Sequence, residues 1–249
     1  MNMQAMLLTR ICDLSRDKNP LTAAEVMAPA LRDDEILIRI SACGVCHTEL
    51  DEIEGRMPPP CLPVILGHQA AGRVDTIGKN VSQWKAGDRA GVAWIFSSCG
   101  LCEYCRAGSE NLCGQFRATG RDANGGYAQY MSVPAAFAYP LPDSLTDAQA
   151  APLLCAGAIG YRSLNLTGLR DGQNLGLTGF GASAHLVLME KEIKSVANVS
   201  RLDVREFLRI AGHIPLRPEI QEYPLEEANR AILEIKEKKI RGAKVLRIG

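Results

Sequence analysis

Four cysteines, Cys99, Cys102, Cys105 and Cys113, fall as C-x2-C-x2-C-x7-C in the run SSCGLCEYCRAGSENLC. That spacing lets one short loop wrap a single tetrahedral ion with four thiolates and no open position, which is the pattern of a structural zinc site. A second set of soft donors lies apart from it, with Cys46 and His68 upstream and Cys155 downstream. Three such ligands leave a fourth position for water or substrate, the arrangement of a catalytic zinc. Spacing alone is weaker for this second set. Taken singly, His68 in GHQ reads as a satisfied polar residue, and Cys155 in PLLCAG reads as a core thiol. The run GVCHTE follows a strand pattern, so Cys46 should emerge at a strand end. Thr48 then carries a hydroxyl two residues beyond a thiolate, within reach of a fourth ligand. Glu49 is placed to hold the far ring nitrogen of His68 and fix its tautomer.

Elements must carry these groups, and the sequence outlines them. The first half reads as a compact β domain rich in Gly and Pro. EILIRI (35–40) alternates apolar and charged residues, and 70–78 and 87–92 are short strands bounded by glycine. The stretch 128–142 mixes β-branched and aromatic residues with prolines, as edge or bulged strands do. Near residue 146 the pattern turns helical, and the helix carries Cys155. Val204, Phe207, Leu208 and Ala211 share a helix face behind a capping box of Ser200 and Asp203. Leu225, Ala228, Ile232 and Ile235 mark a second helix, with Glu226–Arg230 and Glu234–Lys238 as expected i,i+4 pairs, and KVLRI is a closing strand.

Composition narrows the function classes. The 28 basic residues balance the 28 acidic ones, so nucleic acid and anionic membranes are not expected partners. The N-terminal run MNMQAMLLTRICDL has no long apolar core, which predicts neither a signal peptide nor a membrane span. Nine cysteines without a secretory signal favour thiolate chemistry and a cytoplasmic location over disulfides. Cys12, Cys43 and Cys61 read as ordinary thiols.

With these motifs in view, the chain resembles the medium-chain zinc alcohol dehydrogenases. The resemblance is carried by SACGVCHTELDEIEGR, LPVILGHQAAGRVDTIGKNVSQWKAGDRAGV, the four-cysteine lobe, NGGYAQYMSVPAAFAYPLPDSL, APLLCAGAIGYRSL, LTGFGASA and the C-terminal IKSVANVSRLDVREFL and YPLEEANRAILEIKEKKIRGAKVLRI. It implies a mainly β, GroES-like catalytic domain with a zinc lobe (1–150 and 201–249), joined to a truncated α/β Rossmann remnant (151–200). It implies two zinc ions per chain, a catalytic one on Cys46, His68 and Cys155 and a structural one on the lobe. It also implies Thr48 as the first member of a proton relay, His47 at the cofactor pyrophosphate, NAD(P) as cofactor and a small alcohol or aldehyde as substrate. Two positions depart from the family. Gln69 stands where Glu is usual, and Asp51 stands where a relay His is common, so Asp51, water or the cofactor ribose must carry the proton outward.

The largest departure is a gap. Gly179 and Gly181, with Ala184, form a G-x-G-x-x-A turn after a short apolar strand, the setting of a dinucleotide fingerprint. A full doubly wound domain needs two βαβαβ halves, well over about 100 residues at roughly 30 per unit. Here the fingerprint helix runs almost directly into IKSVAN, and the acidic ribose ligand expected about 20 residues on is missing. The sequence predicts that NLGLT and IKSVAN pair as a small parallel ribbon whose open edges invite homo-oligomer contacts. Cofactor capture is therefore expected to be impaired. The competing reading is a zinc-binding domain or deletion variant without hydride transfer. A zinc hydrolase is disfavoured, because two thiolates donate charge to the metal and leave its water less acidic.

Overall fold

Strand β3 (Glu35–Val45) organises the main sheet in the computed structural model, which describes residues 1–168, 170, 195–239 and 241–249. Its alternation puts Ile36, Ile38 and Ile40 in the core while Arg39 faces solvent. One edge pairs antiparallel with β5 (Ala70–Ile77), with irregular register at Leu37/Ile38 and Ile40/Ala42. The other edge is shared: Glu35–Arg39 pair with β9 (Tyr130–Pro134), and Ala42–Val45 pair with β12 (Ala243–Arg247). The strand thus runs past the expected end at residue 40 up to Val45. Its second half is covered on both faces and needs no alternation. The seven-stranded sheet continues outward through β6 (Arg89–Val92) to β10 (Ala138–Pro140), and beyond β12 to the parallel β11 (Ile220–Pro224).

A second sheet is formed by β1 (Asn2–Leu8), β2 (Leu21–Met27) and the short β4 (Val64–Ile65). The first-half reading missed the β1–β2 pair. A further two-stranded ribbon, β7 (Ile95–Ser97) with β8 (Arg117–Ala118), frames the cysteine lobe, which also holds α2 (Glu103–Arg106). One core packs these sheets together around Leu8, Ile38, Leu50, Trp84 and Tyr127. A second core lies on the opposite face of the main sheet. There Ala42, Ala71 and Val245 meet α3 (Asp147–Pro152), α4 (Ala158–Thr167) and α5 (Arg201–His213) through Leu153, Leu154, Val199, Val204 and Leu208. Ser200 caps α5: its Oγ accepts from Asp203 N, and Asp203 Oδ2 accepts from Ser200 N at 2.8 Å. Helix α3 crosses residue 150, and residues on both sides of that boundary share this second core. The proposed ribbon of NLGLT and IKSVAN, and the Gly179–Gly181 turn, lie outside the described residues. Among the described residues, no helix is long and apolar enough to cross a membrane.

The C-terminal ion pairs differ from those the sequence suggested. Helix α6 spans only Ala228–Lys236, preceded by a 3-10 turn over Leu225–Glu227. Glu226 is therefore off the helical face, and Arg230 pairs with Glu227 and Glu234. Lys238 lies past the helix end at a φ of 58°, and Glu234 turns instead to Lys244. Lys244 is buried, and its ammonium meets Glu234 Oε2 at 2.6 Å, Tyr223 Oη at 2.8 Å and Gln221 Oε1 at 3.0 Å, which uses all three donors. The hydrogen bond from Lys244, then that from Tyr223, hold the Glu234 carboxyl down at about 2. Glu234→Ala is expected to cost about 3–5 kcal/mol in equilibrium denaturation, because it strands a buried ammonium. Lys244→Met should cost much less. Since the folded value lies below the ordinary 4.5, this contribution is full above pH 4.5 and fades as the pH falls towards about 2.

Candidate metal centres

Three segments converge on the open site. Cys46 follows β3 directly and caps α1 (His47–Ile53). The Glu49 side chain reaches back, and its Oε2 accepts from Cys46 N at 2.7 Å. His68 follows Gly67, whose φ of 96° and whose closeness to Tyr127 leave no room for a side chain: a Cβ there would lie 2.5 Å from the Tyr127 ring. Cys155 sits in a π-helical turn, Leu153–Gly157, wedged between α3 and α4 just after Pro152. Single π turns of this kind often mark functional positions.

The donor atoms of Cys46, His68 and Cys155 all lie within 4.8 Å of one another. His68 Nε2 is 3.4 Å from Cys155 Sγ. A tetrahedral zinc with Zn–S of about 2.3 Å and Zn–N of about 2.0 Å would set such pairs about 3.5 Å apart. The donor set therefore fits zinc. On the far side of the ring, Glu49 Oε1 approaches His68 Nδ1 to 2.8 Å, with both side chains fully buried. Burial disfavours a charged His68, but Glu49 and the Cys155 sulfur outweigh it and hold the imidazole well above its ordinary range. The bond from Cys155 pulls the Cys46 thiol down to about 3, while the same bond raises Cys155.

The lobe collects its four sulfurs in the same way. All lie within 4.8 Å of one another, with Cys99 Sγ 3.8 Å from Cys105 Sγ and 3.6 Å from Cys113 Sγ. These separations are too long for a disulfide and right for a shared tetrahedral ion. Backbone N–H groups of Leu101 and Cys102 point at Cys99 and lower its thiol to about 6.

The remaining site residues are placed as follows. Thr48 Oγ1 lies 3.6 Å from Cys46 Sγ. His47 is largely exposed, with Nε2 3.9 Å from Asp51 Oδ1. Asp51 is bound by Arg56, which also holds Glu54. Gln69 is buried with its amide folded over Gly44. The sequence leaves Trp94, Ile95 and Phe96 open between an apolar pocket wall and core; all three belong to the main core, and Trp94 also stands edge-on to His68, 5.0 Å between ring centroids. One feature escaped the sequence reading. Glu52, one turn beyond Glu49 on α1, is fully buried, and burial followed by the Glu49 charge pushes its carboxyl well above the usual range.

Fold and donors together define a mainly β, GroES-like domain with two candidate metal centres. The family model for the alcohol dehydrogenase GroES-like domain matches residues 32–143. The chain is 49% identical over 175 residues to a probable alcohol dehydrogenase AdhA of Mycobacterium tuberculosis, covering 68% of this chain and 51% of that protein. It is 40% identical over 190 residues to an alcohol dehydrogenase of Geobacillus stearothermophilus, covering 76% and 56% respectively. A cinnamyl alcohol dehydrogenase structure from Sorghum bicolor superposes with a TM-score of 0.82 at 22% identity over 99% of this chain and 98% of that one, a likeness of fold. The chain belongs to the zinc-type medium-chain alcohol dehydrogenase family. It spans about half the length of the curated relatives it matches.

Proposed function

We propose that this chain is a zinc-dependent oxidoreductase that interconverts a small alcohol and its aldehyde or ketone, exchanging hydride with a nicotinamide cofactor. The observation that carries the reading is the convergence of Cys46, His68 and Cys155 beside Thr48 and Trp94, apart from a closed four-thiolate site. Zinc on those three residues would supply Lewis acidity at its open position. Glu49 keeps the His68 ring oriented with Nε2 towards the sulfurs. Thr48 holds the substrate hydroxyl proton and passes it outward. Asp51, clamped by Arg56 and close to His47, is the next group along α1 and lies nearer solvent. Trp94 keeps water from the inner side of the site. The residues assigned to each role, and the division into 1–150 with 201–249 and a 151–200 remnant, belong to this proposal.

A second reading, a two-zinc domain without hydride transfer, is favoured by the short run from Gly181 to Ser195 and by the half-length match to the curated relatives. Titrating the zinc-loaded protein with NADH and with NADPH, followed by nicotinamide fluorescence, separates the two. Saturable binding, with turnover of a short-chain alcohol, supports the dehydrogenase. Two bound zinc ions with no cofactor saturation supports the second reading and removes the first.

A further inference from the structure

We infer that the four-cysteine lobe positions Cys155 from a distance, through Arg201 and helix α5, so that an intact lobe sets the zinc affinity of the open site. The inference rests on the metal reading of both sites. The lobe presents Leu101, Tyr104 and Leu112 to solvent, so it has little apolar core of its own and its shape depends on its metal. Between Cys105 and Cys113 it carries Glu110, which is nonetheless buried, and whose Oε1 accepts from Arg201 Nε at 2.7 Å. Arg201 Nη1 also donates to Ala136 O at 3.2 Å, and its guanidinium lies 4.8 Å over the Phe137 ring. Asn111 Nδ2 donates to Ala197 O at 2.7 Å. The first turn of α5 and the chain leading into it are therefore fastened to the lobe at two successive residues, Glu110 and Asn111.

The same helix is fastened at its other face to the segment that follows Cys155. Asp203 Oδ2 accepts from Arg162 Nη1 at 2.6 Å, and Glu206 Oε2 accepts from Tyr161 Oη at 2.9 Å. Phe207 lies so close to Gly157 that a Cβ there would be 2.5 Å from its ring. Gly157 ends the π turn that holds Cys155. Contact is continuous from the lobe to the third ligand, and the Phe207–Gly157 approach leaves no slack to absorb a shift of α5. Arg201 is thus a positioning residue for a site it does not touch. Coupling of this kind is reciprocal, so zinc at the open site should also tighten the lobe.

The test is a zinc titration of the full chain against a competing chromogenic chelator, with Arg201→Met, Glu110→Gln and the double variant. Each single change should weaken the open-site zinc about 3- to 30-fold while the lobe keeps its ion. The double variant should lose no more than the worse single one, and Arg201→Lys should recover part of the loss. Backbone hydrogen exchange over residues 153–162 should rise in parallel. Should Arg201→Met fail to fold, Glu110→Gln decides, since it keeps the shape and removes only the charge. Lower stability with open-site affinity and exchange both unchanged would overturn the coupling and leave the metal reading standing. Fewer than two zinc ions on the unaltered chain would overturn the metal reading itself.

Discussion

Cys113→Ser is expected to remove one of two zinc ions and to lower the melting temperature by on the order of 10 °C. The lobe has little apolar packing of its own to hold its shape, and its ties to α5 fasten only Glu110 and Asn111. Its helix α2 is a single turn of four residues, its second element is a 3-10 turn, and Leu101, Tyr104 and Leu112 face solvent. Cys113 is the most buried of its four thiols and lies 3.6 Å from Cys99 Sγ. Removing it leaves three cysteine ligands, with no further His, Cys, Asp or Glu in the cluster among the described residues. Structural zinc supplies about 10–16 kcal/mol of apparent folding energy in small units that are unfolded without it. Only part of that is at stake here, because the two apolar cores of the fold are built mainly outside the lobe. Metal content by mass spectrometry and a thermal melt check the result. A variant that keeps two zinc ions, or melts with the unaltered protein, would show that these thiols are not a structural metal site.

The two sites were not equally legible in the sequence, and the reason is contact range. The lobe ligands fall within 15 residues, so their spacing alone describes the loop that brings the sulfurs together. Cys46, His68 and Cys155 come from a strand end, a glycine turn and a π turn, and no local spacing connects them. Their residue types marked them as a second set of soft donors, and the family resemblance is what assigned them to one ion. Glu49 was legible as a carboxylate next to the GVCHTE ligand run, where such a group can orient a ligand histidine; its second contact, to Cys46 N, was not read. Strand β3 was read five residues short at its C-terminal end, stopping at Ile40 where the strand continues through Ser41 to Val45, because the alternation stops where cores cover both faces. The β1–β2 pair was missed because its partners lie across a long connection and the exposed side of β2 is polar only in part. The Glu234–Lys244 pair was misassigned to Lys238 because α6 stops at Lys236 and a neighbouring strand offers a better-placed ammonium. Trp94 against His68 and Glu110 against Arg201 are likewise meetings of distant segments, fixed by packing and invisible to periodicity.

His68→Ala is expected to empty the open site while sparing the lobe, so that bound zinc falls from two ions to one. Two sulfurs alone cannot hold the metal at neutral pH against a chelator, and the buried pocket offers no replacement ligand among the described residues. The sharper experiment lies behind the ring. Glu49 does two jobs with two oxygens: Oε2 accepts from Cys46 N, and Oε1 lies against His68 Nδ1. Glu49→Gln keeps the shape and one acceptor oxygen but removes the charge that makes the imidazole a better donor. Glu49→Ala removes both and also frees the start of α1. Partners of this kind are worth about 10- to 100-fold in metal affinity. If the charge behind His68 is what matters, Glu49→Gln should already show most of that loss by competitive zinc titration, with Glu49→Ala adding a fall in thermal stability. If Glu49→Gln binds zinc as the unaltered chain does and only Glu49→Ala weakens it, then Glu49 serves Cys46 and the helix start, and His68 takes its orientation from Trp94 and the glycine turn before it.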